Sequence, residues 1–223
     1  MRRQQTPAGV ELSLAAWLLV MTNKSKAKGD QGEREAVNVL RALAPDLTLP
    51  DAQRKLGAGR KEDTGDLVVF EDVTIQVKNY VDVGRALREA ALGAQLQGER
   101  ARTRFALGMA PVYRARASSV RWLACVLDWP GGEPPSAELA SFGLPLRAVA
   151  HVRREDLGIR REQRITVVER QGTPRIFVAP IEAWVASWRS AMADGVQLTL
   201  FDKTQFDETH EERLDARQLA HAS

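Results

Sequence analysis

Hydrophobic and polar positions alternate most regularly between Gly65 and Lys78. Val73, Ile75 and Val77 fall on one side of that stretch, and Thr74, Gln76 and Lys78 on the other. Period-two alternation in a β-branched run predicts a half-buried strand. Leu67–Phe70 is a short apolar run just before it, with Glu71-Asp72 as the connecting turn, so the two runs read as a hairpin. Upstream the period changes. Glu33, Val37, Leu40 and Ala44 recur at helical spacing, predicting a helix over 29–44 that Pro45 and Pro50 end. Ala52–Leu56 reads as a strand leading into a Gly57-Ala58-Gly59 loop. Asp82 is placed to N-cap a helix over 83–97 with the apolar stripe Val83, Leu87, Ala90, Ala91 and Ala94. Strands are expected at Arg104–Tyr113, Val120–Asp128, Leu146–Val152, Ile165–Glu169 and Ile176–Val178, and a last helix over 180–192 carries Trp184 and Trp188 one turn apart. Pro130-Gly131-Gly132-Glu133-Pro134-Pro135 is a loop.

Three segments follow from this pattern: an N-terminal extension over 1–27, a main domain over 28–193, and a polar tail over 194–223. The chain of 223 residues has room for one domain of about 150–200 residues with extensions. Leu12–Met21 is apolar, but ten residues are too few to span a bilayer, and the charged Arg2-Arg3 start is followed by no small-x-small cleavage pattern. A short helix packing on the body is expected there; translation beginning at Met21 is the alternative. No membrane partner is implied.

Charge changes the picture modestly. Net charge is +3, but residues 1–193 carry 29 Lys/Arg against 22 Asp/Glu, whereas the tail carries 3 against 7. A basic body with an acidic tail is compatible with a nucleic-acid partner. Cys125 has no second cysteine to pair with and lies in an apolar run, which suits a buried thiol in a reducing cytoplasm. His151, His210 and His221 have no zinc-ligand spacing.

The hairpin also carries candidate chemistry. Asp66 stands at the mouth of its first strand, and Gln76 and Lys78 share a side of its second. A carboxylate, an amide oxygen and a lysine at one sheet edge suit a hard divalent cation and attack of water on phosphorus. The plainer reading makes Gln76 and Lys78 the wet face of a strand. Glu33 lies on the apolar stripe of the first helix, where a carboxylate needs a partner. A metal site supplies one; a first-turn glutamate favoured by the helix dipole is the alternative.

Taken together, Lys28-Gly29-Asp30-Gln31-Gly32-Glu33-Arg34, then Arg54, the Gly57/Gly59 loop, Asp63-Thr64-Gly65-Asp66 and Gln76-Val77-Lys78-Asn79 resemble a known set. In order and approximate spacing they are similar to the archaeal and phage Holliday junction resolvases of the PD-(D/E)xK nuclease superfamily, in particular the resolvase-like nucleases of actinobacterial phages. The resemblance covers residues 28–127, and extends to the strand and helix over 176–192. It implies an α/β fold with a restriction-endonuclease-like core, a mixed central sheet flanked by helices. It also implies a homodimeric endonuclease that cuts four-way DNA junctions with Mg²⁺, or Mn²⁺ in its place, in the bacterial host cytoplasm if phage-encoded. By position, Asp66, Gln76 and Glu33 would hold the metal, and Lys78 would orient the attacking water and offset transition-state charge. Lys28, Arg34, Arg54 and Lys55 would grip phosphates. Gln76 departs from the family's acid and lowers the charge of the site. Alternatives are a restriction- or repair-like nuclease on duplex DNA, or a catalytically silent DNA-binding module.

The tail holds Gln197-Leu198-Thr199-Leu200-Phe201, which resembles the pentapeptide by which bacterial DNA enzymes dock on the polymerase sliding clamp. Gln197, Leu198, Leu200 and Phe201 would make that contact. A final strand or apolar plug on the body is the alternative.

Overall fold

The computed structural model describes residues 14–55, 65–113, 120–132, 134, 139–154, 160 and 163–194, with side chains from residue 26. The chain is α/β, with a mixed sheet flanked by helices. Its elements run α1 (Leu14–Leu43), β1 (Gln53–Arg54), β2 (Leu67–Val68), β3 (Val73–Val77), α2 (Val83–Ala101), β4 (Phe105–Val112), β5 (Arg121–Val126), β6 (Ala140–Phe142), α3 (Pro145–Val152), β7 (Thr166–Val168) and β8 (Ile176–Pro180). A last helix, α4, spans 181–194. The sheet order is β1-β2-β3-β4-β5-β8-β7-β6.

Strands β1, β2 and β3 form an antiparallel meander, with Leu67 opposite Ile75. Helix α2 then crosses over and returns β4 parallel to β3, pairing Val73 with Phe105 and Val77 with Met109. Asp82 caps α2 as its sequence position predicts, its side chain accepting from Arg85 N–H at 3.0 Å. The far half of the sheet adds β5 and β8 antiparallel, then β7, with β6 parallel to β7 through α3.

Two cores sandwich this sheet. On one face, Ala36, Val37 and Leu40 of α1 and Trp184, Val185 and Trp188 of α4 pack on Val73, Ile75, Leu107 and Trp122. On the other, Ala86, Leu87, Ala90 and Ala91 of α2 and Ala148, Val149 and Val152 of α3 pack on Ala110, Leu123, Cys125 and Val178. Cys125 is a fully buried free thiol whose ionisation burial pushes far up, as the apolar run around it suggests.

Three expectations are corrected and one element is added. Strand β3 is not half-buried: Thr74 and Gln76 are each 2% exposed, because α2 covers the polar side of the alternation as α1 covers the apolar side. Leu146–Val152 is helix rather than strand. Pro145 opens it, and Ala148, Val149 and Val152 bury a helical stripe that an apolar run this short does not distinguish from a strand. The helix expected over 29–44 is the second half of a continuous α1 that runs through the boundary drawn at 27/28. Strand β6 carried no recognised pattern; its residues are partly or fully exposed at the sheet edge. No helix among the described residues is long and apolar enough to cross a membrane. The 197–201 pentapeptide, the Gly57/Gly59 loop and Asp63 lie outside the described residues.

Candidate active site

The buried stripe of α1 pulls that helix onto the sheet, and one turn before Val37 it brings Glu33 to the end where β3 finishes. The Glu33 side chain is 20% exposed and lies 3.0 Å from Arg54 Nε. Its carboxyl is held above the ordinary glutamate value, first by burial and then by the negative charge of Asp66. Arg54 and Lys78 pull in the opposite direction without reversing the shift. Asp66 and Lys78 therefore both act electrostatically on Glu33.

Asp66 is fixed from several sides. Its N–H donates to Ile75 O and its carbonyl accepts from Lys55 N–H, both at 2.8 Å. Carboxylate oxygen Oδ2 accepts from Val77 N–H at 2.9 Å and from the Gln76 side-chain amide. Gly65, at φ 101°, feeds Asp66 into this position; a Cβ there would meet Ile75 O at 3.1 Å. Gln76 is clamped between the sheet and α2, where a Cβ on Gly93 would come within 3.2 Å of Gln76 Cγ. Lys78 N–H donates to Met109 O at 3.0 Å, which anchors the strand end that bears the ammonium.

All four expected catalytic residues thus gather at one end of the sheet, from α1, the start of β2 and the end of β3. The expected phosphate contacts divide. Arg54 is committed inward: its side chain is 18% exposed and it pairs with Asp30 at 2.7 Å as well as with Glu33. It holds Glu33 in place, where solvent-facing phosphate binding was expected. Arg34 and Lys55 are exposed and Lys28 is half-buried at the same end.

Several neighbours were not singled out. Asp30 lies three residues before Glu33 on the same face of α1, so its spacing was an available signal. Tyr80, Glu89 and Asn79 arrive through tertiary packing. Tyr80 OH donates to Glu89 Oε2 and Arg85 Nε donates to Glu89 Oε1, each at 2.7 Å. Glu89 is held below the usual carboxylate range by those bonds, with Lys78 adding a smaller pull. Asn79 Nδ2 donates to Lys28 O at 3.2 Å and to Tyr113 OH at 3.1 Å, tying α1 to the ends of β3 and β4.

Among the described residues, no group of three or more His, Cys, Asp or Glu side chains is arranged to hold a metal ion. The oxygen set is two carboxylates and an amide, and the Gln76 amide nitrogen, rather than its oxygen, faces Asp66. This set suits a hard divalent cation in one respect: the repulsion between Glu33 and Asp66 is what such a charge relieves. It requires the Gln76 amide to turn. A cavity of about 410 Å³ lies elsewhere, at the start of β4 and the end of α2, lined by Arg102, Arg104, Phe105, Asp128, Trp129 and Trp184.

No family model, curated protein or solved structure matches this chain.

Proposed function

We propose that this protein is a metal-dependent endonuclease with a PD-(D/E)xK core, acting on branched DNA and most simply on four-way junctions as a homodimer. The observation that carries the reading is the convergence of Glu33, Asp66, Gln76 and Lys78 at the end of a helix–three-strand–helix–strand unit. A carboxylate pair with a lysine beside it is the donor set that phosphodiester hydrolysis asks for.

Asp66 and Glu33 would hold Mg²⁺ or Mn²⁺, with Gln76 contributing its carbonyl oxygen. When bound, the cation would supply positive charge against the charge that builds on the phosphate oxygens. Lys78 orients the attacking water and offsets charge on the phosphoryl oxygens. Arg54 fixes the Glu33 carboxylate, and Asp66 is held by Val77 N–H, so both ligands are preorganised. Arg34, Lys55 and Lys28 bind flanking phosphates, which sets register without reading sequence. Two symmetric cuts need two sites, which a two-fold dimer supplies. The 197–201 pentapeptide would tether the enzyme to a sliding clamp.

One observation favours a second reading. Gln76 satisfies Asp66 with an amide N–H, as a site closed without metal would. In that case the protein binds DNA and does not cut it.

Calorimetric Mg²⁺ titration of wild type and Asp66→Asn separates the two. The nuclease reading expects binding that Asp66→Asn weakens by roughly tenfold or more. Absence of Mg²⁺ and Mn²⁺ binding in a folded wild type contradicts it.

A further inference from the structure

One residue past Lys78, Asn79 hydrogen-bonds a half-exposed aromatic ring that lies outside both cores. Tyr113 follows β4 and is 51% exposed. Its hydroxyl is locked to Asn79, the residue after Lys78, accepting from Nδ2 at 3.1 Å and lying 3.3 Å from Oδ1. The Asn79 amide also holds the Lys28 carbonyl, and the Lys28 ammonium sits 5.8 Å from the centre of the Tyr113 ring. Close approach of α1 makes this possible. Gly32 faces Asn79, and a Cβ there would meet Nδ2 at 3.1 Å. The outcome is a half-exposed aromatic ring with a cation over one face, hydrogen-bonded to the residue after the candidate catalytic lysine.

We propose that Tyr113 is a stacking platform for an unstacked nucleobase next to the phosphate held at Asp66 and Lys78, with Asn79 as its positioning residue. This rests on the nuclease reading. The ring pays little ordering entropy on binding, because Asn79 already fixes it. Every base has a π-face, so stacking is tolerant of sequence. In continuous duplex both faces of a base are already covered by its neighbours. A base at a branch point, flap or single-stranded stretch has a face to offer. Tyr113 thus selects DNA that is interrupted at the cut site, the base taking the ring face opposite Lys28, whose ammonium adds phosphate attraction.

The test uses the full-length chain in EDTA with a synthetic four-way junction carrying 2-aminopurine at a branch-flanking position, and linear duplex carrying the same base. Stacking quenches this fluorophore. Wild type is expected to quench the branch-point signal. Tyr113→Phe keeps the ring but loses its bonds to Asn79, so it lowers quenching in part, while Tyr113→Ala and Tyr113→Leu lose it and weaken junction binding by roughly tenfold. Asn79→Ala lowers quenching more than affinity. Using two ring-free variants guards against one that fails to fold. Quenching and affinity in a folded Tyr113→Ala or Tyr113→Leu equal to wild type overturn the stacking role while leaving the nuclease reading intact. Wild type that binds neither DNA overturns both.

Discussion

Glu33 shows how much a single side chain reveals about this site. Its carboxyl is raised because burial and Asp66 together outweigh the Arg54 ion pair. A group whose folded-state pKa lies above its unfolded value contributes stability that is complete below the unfolded value and lost as pH rises through the folded one. At neutral pH the ionised Glu33 is therefore a cost to the metal-free fold. Glu33→Gln is expected to be more stable than wild type in EDTA at pH 7, with the gap closing as pH falls through the raised folded value and fully closed below the ordinary glutamate value of 4.5. Urea unfolding across pH checks this; a gap that is constant with pH contradicts it. Mg²⁺ should stabilise wild type more than the variant. Gln76 gives the complementary case. Gln76→Glu replaces the donor to Asp66 with a second carboxylate, so it should destabilise the metal-free protein and tighten Mg²⁺ binding on the order of tenfold. Calorimetry and thermal unfolding with and without Mg²⁺ read both effects; unchanged Mg²⁺ affinity would show that position 76 does not face the metal.

At the scale of elements, the site depends on how closely α2 lies over the sheet. Gly108 in β4 permits that contact: a Cβ there would fall 2.5 Å from Cys125 O, 2.6 Å from Ala90 C and 2.7 Å from Ala91 N. All three are backbone atoms, so the helix itself must move. Gly108→Ala is expected to lose about 1–3 kcal/mol or more in chemical denaturation. A loss under about 0.5 kcal/mol, the ordinary range of surface substitutions, would mean the approach is looser than this. The same elements show what the sequence made legible. Local signals worked where local physics decides: the Asp82 cap, the stripe of α2, the Glu71-Asp72 turn and the long apolar run of β4. They failed where tertiary cover decides. The alternation of β3 gave the faces correctly, but no local pattern says that a helix lies over Thr74 and Gln76. Leu146–Val152 was ambiguous for the same reason, since a short apolar run serves as a buried strand or a helix face.

At the scale of the molecule, the gathering of Glu33, Asp66, Gln76 and Lys78 was readable as a motif, because Asp66, Gln76 and Lys78 lie at strand ends that the pattern located and Glu33 on the apolar stripe of α1. The surrounding shell was less so. Arg54 read as a phosphate contact and is instead committed to Asp30 and Glu33, while Asn79, Tyr80, Glu89 and Tyr113 meet only through the β3–α2–β4 crossover. Substrate choice is a property of this larger surface and not of the fold. The central claim is tested most directly by cleavage of a labelled synthetic four-way junction beside linear duplex of the same sequence, with wild type and Lys78→Ala, in Mg²⁺ and in EDTA. The account predicts paired symmetric nicks on the junction that require Mg²⁺ and fall at least about 100-fold in Lys78→Ala, with junction binding retained. Tight junction binding with no cutting in Mg²⁺ or Mn²⁺, or cutting that survives Lys78→Ala, would contradict it.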